Sequence, residues 1–195
     1  MCDIIKVFWE RRSIRSYAET QIPDELLRRI VREGYYSPNA GNKQLLRMVV
    51  CRNREINEYL GKLKHLAVER LWNPEKGDYK AIRDEELVEQ GISSLNYGAP
   101  VVVFLFGPKD FEFAEADAYI MANNLCLIAR NYDVGSVILS GALDYFVTER
   151  SRRIMKDWEI PEDYVIRAHA ALGYPKDGFP EARTHDKYVP PLFAD

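Results

Sequence analysis

Residues 101–106 read Val-Val-Val-Phe-Leu-Phe, directly after Gly98-Ala99-Pro100. A strand alternates its side chains between two faces, so six apolar residues in a row leave neither face for water. Such a strand sits inside a sheet covered on both sides, and the rest of the chain must supply two covering layers. Candidate layers are present. Residues 3–10 read as a short helix that Ile4, Ile5, Val7, Phe8 and Trp9 make broadly apolar. Pro23-Asp24-Glu25 opens a second helix, with Leu26, Leu27, Ile30 and Val31 on one face and Gly34 and Pro38 ending it. Further helices are expected over residues 54–70, 82–95, 114–132 and 145–156, strands over 45–52, 136–139 and 165–172, and a loop over 72–78. Strands alternating with helices give an α/β or α+β three-layer sandwich.

At 195 residues and 47% hydrophobic composition the chain can bury a sizeable core as one domain. The net charge of −3 speaks against nucleic-acid binding, which needs a wide basic face. No apolar run approaches the length of a membrane span, and Met1-Cys2-Asp3-Ile4 carries no leader-like basic segment. Cys2, Cys51 and Cys126 are odd in number and lack metal spacing, which points to a reducing, cytoplasmic setting. His65, His169 and His185 are scattered, so no metal site is expected, and His169 reads as a hydrogen-bonded structural histidine. No Gly-x-Gly-x-x-Gly occurs, which argues against a dinucleotide-binding Rossmann fold.

Against this acidic background, Arg11-Arg12-Ser13-Ile14-Arg15 packs three guanidinium groups and a hydroxyl into five residues. Fixed donor forks of this kind suit a phosphate, although an Arg-Arg pair can equally be a solvated cluster. Ser37-Pro38-Asn39-Ala40-Gly41-Asn42-Lys43-Gln44 places side-chain amides on a turn. Primary amides suit a flat heterocycle with donors and acceptors on its edge, and the same residues also suit a plain helix-to-strand turn. Together the two segments point to a phosphorylated aromatic cofactor.

The ordered set of motifs resembles the flavin mononucleotide (FMN)-dependent nitroreductase family. The set runs from the arginine segment through the Ser-Pro-Asn turn and Gly98-Ala99-Pro100 to Val137-Ile138-Leu139-Ser140-Gly141, Leu172-Gly173-Tyr174-Pro175 and Arg183. The resemblance covers nearly the whole chain. It implies an α+β three-layer α/β/α sandwich with a central, mostly antiparallel sheet, formed by one domain over residues 1–195. A C-terminal arm at about 186–195, with Leu192 and Phe193, would wrap a partner subunit. The resemblance further implies that Arg11, Ser13, Arg15 and Arg183 hold the FMN phosphate and ribityl chain. Arg12 would meet flavin through its backbone, or solvent. Pro38, Asn39, Asn42 and Gln44 would lie along the flavin from the other subunit of a homodimer. Leu139, Ser140 and Gly141 would approach its reactive face, with the Ser140 N–H directed at N5. Four positions depart from the family pattern: Asn39 where Ser is commoner, Leu45 and Leu46 where Pro-Trp is commoner, and Ser140 where many members carry Glu.

The activity so implied is ping-pong transfer from NAD(P)H through the flavin to a nitroaromatic, quinone or enone. The flavin carries the chemistry, and no side chain serves as catalytic acid or base. Two alternatives stand beside it. One is a specialised dehalogenating or flavin-fragmenting relative, whose lid would fall at residues 66–82 with Glu69, Tyr79 and Lys80. The other is a flavin-binding sensor without turnover.

Overall fold

The structure, a computed structural model, describes residues 4–88, 91–141, 144–182, 187 and 189–194. The strands are β1 (Arg47–Cys51), β2 (Val101–Pro108), β3 (Gly135–Ile138) and β4 (Tyr164–Gly173). They form one sheet in the order β1-β2-β4-β3, every neighbouring pair antiparallel. The apolar strand β2 is therefore interior, as its sequence requires. Val101 to Phe106 are all fully buried, and they alternate between two cores. Val102, Phe104 and Phe106 pack under helices α3 (Arg54–Trp72) and α5 (Glu149–Asp157), against Leu60, Leu63, Ala67 and Ile154. Val101, Val103 and Leu105 pack under α2 (Asp24–Gly34) and α4 (Ala114–Asn131), against Leu27, Ile30, Ala118, Ala122 and Leu125. The result is the expected α/β/α sandwich.

Helix α1 (Ile4–Glu10) forms where expected but buries none of its residues. Helix α3 starts at a built cap, with the Asn53 side chain accepting from the Ile56 N–H at 3.1 Å. Two expected helices differ. Helix α5 begins at Glu149, four residues later than the apolar pattern suggests, because Thr148 and Ser151 form a reciprocal capping box. Among the described residues the helix expected over residues 82–95 does not form. A 3₁₀ turn at Asp84–Val88 stands there, and Gly91 adopts φ +101°. The backbone that follows bonds to α3 instead of to itself: the Leu95 N–H donates to the Gly61 carbonyl at 3.1 Å. Asn96 Nδ2 donates to the Asn57 carbonyl at 2.7 Å. This approach is close enough that a Cβ on Gly61 would lie 1.9 Å from Ser94 Oγ.

Beside β3 the N-terminal segment runs extended. Ser13 bridges Ser136 in parallel, and Tyr17 bridges Pro175. Tyr17 is seated by Gly173, where a Cβ would meet Pro100 Cδ at 2.6 Å and Tyr17 Cδ1 at 2.9 Å. Gly173→Ala should therefore displace Tyr17 and lower stability by about 1–3 kcal/mol, as overpacking does. Denaturant unfolding with a lowered midpoint and unchanged slope is the expected reading.

Candidate functional site

The extended conformation sorts the N-terminal arginines by side. Ile14 is buried among Tyr17, Ala99, Val137, Leu139 and Ala171, and its N–H donates to the Ser136 carbonyl at 2.9 Å. Ser13 and Arg15, its neighbours in an alternating chain, are exposed. Arg12 is half-buried and turned to the protein: its Nε donates to the Glu181 carbonyl at 3.2 Å and its Nη1 to the Arg11 carbonyl at 2.6 Å. Its Nη2 is buried without a partner among the described residues. Among the described residues neither Arg11 nor Arg15 has a carboxylate partner. Two guanidiniums thus stand beside a hydroxyl with no counter-charge from those residues. Arg183 lies outside the described residues; Glu181, two residues before it, rests on Arg12.

Strand β3 carries the chain from Ser136, beside Ser13, to the turn at residues 139–141, about 10 Å further along at strand rise. Leu139 is buried and its N–H donates to the His169 carbonyl at 2.9 Å. Ser140 and Gly141 are exposed. Gly141 has φ +70°, and a Cβ placed on it would touch nothing within 4 Å. The turn is thus open on its outer side. The arginine segment and this turn come together on one sheet edge.

The amide turn does not join them within one chain. It precedes β1, at the opposite edge of the sheet. Its Ala40 N–H donates to Asp117 Oδ1 at 2.9 Å, near the start of α4. At the other end of α4, Arg130 Nη2 donates to Glu10 Oε2 at 2.7 Å, next to the arginine segment. The helical rise between Asp117 and Arg130 separates the two regions by about 20 Å. The turn itself is built for display. Gly41, Asn42 and Gln44 have φ of +60°, +52° and +52°, a left-handed conformation that costs non-glycine residues about 1–3 kcal/mol each. It is held by Gln44 N–H to Asn39 Oδ1 at 2.9 Å and Gln44 Nε2 to Asn42 Oδ1 at 2.9 Å. Pro38, Asn42 and Gln44 are exposed and Asn39 is half-buried.

One residue at the site escaped the sequence reading. Lys64 of α3 is 2% exposed, and its Nζ donates to the carbonyls of Leu139 at 3.4 Å and Gly141 at 3.2 Å. Burial pushes its ammonium down to about 7. His169 of β4 stacks on Phe104, ring centres 5.6 Å apart, and among the described residues both its nitrogens lack partners, so it is not the hydrogen-bonded histidine expected. Burial, with Lys64 nearby, holds His169 well below the usual imidazole range. The signal for Lys64 was present: it falls between Leu60 and Ala67 at helical spacing, on the apolar stripe of α3.

Known proteins resemble this chain over most of its length. The model of the nitroreductase family matches residues 9–174. A protein of Archaeoglobus fulgidus, provisionally named NADH dehydrogenase/NAD(P)H nitroreductase, is 29% identical over 97% of this chain and 95% of its own. An NADH dehydrogenase of Thermus thermophilus is 30% identical over 89% of this chain and 88% of its own. Among solved structures, a nitroreductase of Bacteroides fragilis with bound FMN superposes with a TM-score of 0.75 at 20% identity, over 99% of this chain and 100% of that one. One from Desulfitobacterium hafniense, also with bound FMN, gives 0.74 at 22% identity over 99% and 100%. The matched segment begins just before the arginines and ends just after β4, so it takes in the sheet, both cores and the turn at 139–141, and by that match the chain belongs to the nitroreductase family.

Proposed function

We propose that the protein is an oxidoreductase that binds FMN in a site shared by two copies of the chain, accepts reducing equivalents from NAD(P)H and passes them to a nitroaromatic, quinone or enone. The observation that carries this reading is one sheet edge. It joins the arginines, which lack carboxylate partners among the described residues, to an open glycine turn. The donor set fits the cofactor. Arg11 and Arg15 offset a phosphate that is close to dianionic, the Ser13 hydroxyl adds a neutral donor, and the buried, unpartnered Nη2 of Arg12 is a further donor in want of an acceptor. Arg183 lies outside the described residues, and its assignment to the same phosphate rests on the family resemblance alone.

Leu139 and Gly141 form the floor under the ring, and Gly141 lets backbone approach it closely. The Ser140 N–H serves as donor to the ring nitrogen that exchanges hydride. Pro38, Asn39, Asn42 and Gln44 come from the second copy, since within one chain they stand at the far sheet edge. When bound, FMN supplies the hydride and electron transfer between nicotinamide and acceptor, in ping-pong order. The chain's own work is to bind, orient and exclude water.

Two exposed apolar surfaces support the dimer. On α1, Ile4, Phe8 and Trp9 are 63%, 53% and 66% exposed, and Ile4 and Phe8 line a groove of about 380 Å³ with Tyr36 and Leu127. On the tail, Leu192 and Phe193 are 92% and 86% exposed, as an arm at 186–195 that wraps a partner would be in isolation. An obligate interface of this kind buries more than about 2,000 Å². No helix among the described residues is long and apolar enough to cross a membrane. Cys51 and Cys126 are buried free thiols, in keeping with a reducing cytoplasm.

The purified protein should be yellow, and acid should release FMN and not the adenine dinucleotide. NADH or NADPH should bleach it without oxygen. Absence of flavin after reconstitution overturns the site, while a bound flavin that neither nicotinamide bleaches favours binding without turnover.

A further inference from the structure

Lys64 is enclosed on every side by the protein. Its Nζ lies 5.5 Å from the centre of the Tyr145 ring, with His169 behind it on β4. Tyr145 is fully buried and its hydroxyl has no partner among the described residues, and burial pushes that phenol up. No carboxylate accompanies the ammonium among the described residues. The acceptors it has are the two carbonyls of the turn, Leu139 and Gly141. A buried cation without a counter-charge is costly, and an apolar side chain would fill this stripe of α3 more cheaply. The position therefore has a reason other than stability.

Peptide geometry supplies the reason. A trans peptide points its N–H opposite to its C=O. The Leu139 carbonyl is drawn inward to Lys64, so the Ser140 N–H in the same peptide must face outward. The Gly141 carbonyl is drawn inward as well, which anchors the turn at both ends. Neither the Ser140 nor the Gly141 N–H has an acceptor among the described residues.

We propose that Lys64 is a positioning residue for the cofactor: from inside the core it ties the carbonyls of Leu139 and Gly141, aims the Ser140 N–H at the flavin, and places a positive charge behind the turn that favours the reduced, anionic ring over the oxidised one. This rests on the FMN site proposed above. The charge acts through a single layer of backbone from a side chain that is itself buried, where screening is weak. The residue touches neither flavin nor substrate, so its effect is on affinity and potential.

The test uses Lys64→Met, which keeps the length and packing of the side chain, with Lys64→Gln as a second variant that retains a donor without the charge. In the FMN-loaded protein at pH 6, where Lys64 keeps its proton, Lys64→Met should weaken reduced FMN about tenfold more than oxidised FMN, which lowers the two-electron midpoint potential by about 30 mV. Lys64→Gln should fall between parent and Lys64→Met. In the flavin-free protein, the Leu139 amide, which bonds to His169, should exchange its hydrogen about tenfold faster in Lys64→Met as the turn loosens. A midpoint potential equal to the parent's in both variants overturns the proposal, whatever happens to stability. If the parent itself binds no FMN, the functional reading fails instead. The exchange rate at Leu139 then decides alone whether Lys64 holds the turn, and an unchanged rate overturns that.

Discussion

Replacing Arg11 and Arg15 together with alanine should weaken FMN binding by roughly 10²–10⁴-fold. A charge-assisted contact to phosphate is worth about 1.5–3 kcal/mol, and two such contacts act on one group here. The fold should survive, because Arg15 is exposed, Arg11 is only partly covered, and neither has a carboxylate partner among the described residues. The second half of this experiment concerns the division of the site. A chain with Asn42→Ala and Gln44→Ala should also lose flavin. Co-expressed with the double-arginine variant, it should regain some. In a heterodimer of the two, one site receives both damaged segments and the other receives both intact ones. With random pairing about a quarter of all sites are whole. Flavin titration of the mixture measures this directly. If heterodimers form and no binding returns, the arginines and the amide turn do not meet across subunits.

The Lys64→Met variant should be more stable than the parent at pH 6, by several kcal/mol, and the gain should shrink as pH rises towards 10. The sign follows from proton counts. The unfolded chain keeps its lysines protonated up to about 10.5, whereas folded Lys64 releases its proton near 7. Between those values the unfolded state binds more protons, so parent stability rises with pH. The slope is about 1.4 kcal/mol per pH unit at most. Below pH 7 the penalty for the buried charge is fully present. His169, held well below 6.5, makes stability fall further in acid; its burial does so in both proteins, and the Lys64 charge adds to it in the parent alone. The raised thiol of Cys51 and phenols of Tyr17 and Tyr145 oppose the trend in alkali, again in both. The difference between the two unfolding curves therefore isolates Lys64. A difference that is flat from pH 6 to 10 would show that the ammonium is not desolvated in the folded protein.

Much of the architecture was written in local chemistry. The two-sided burial of β2 followed from six apolar residues, and α2 from acids in its first turn and one apolar face. Failures came where distant backbone competed with local pattern. Residues 82–95 have helical composition, yet Leu95 and Asn96 bond to α3, a partner that nothing in the local sequence reveals, and Gly61 clears the space for it. The late start of α5 was legible in Thr148 and Ser151, but the apolar Tyr145-Phe146-Val147 obscured it. Those three pack into the core under β2 as irregular chain. At the site, the arginine and amide segments announced themselves by residue type. Their separation across the sheet did not, because strand order is a property of the whole topology. Lys64 was hidden by its own commonness: a lysine in a helix is read as solvent-facing unless the stripe on which it falls is followed residue by residue.

The order β1-β2-β4-β3 also sets a schedule for synthesis. Strand β2 pairs Val101 with Leu172 of β4, so about seventy further residues must be translated before that side of β2 is closed. At ribosomal speeds of about 5–20 residues per second, this takes several seconds. Throughout that time β1 protects one edge, while the other presents Val-Val-Val-Phe-Leu-Phe to whatever the nascent chain meets. A stretch so rich in β-formers and free of charge is a seed for aggregation. Rapid translation through residues 107–172, or a chaperone that covers the open edge, should raise the yield of native protein more than any change to the finished fold.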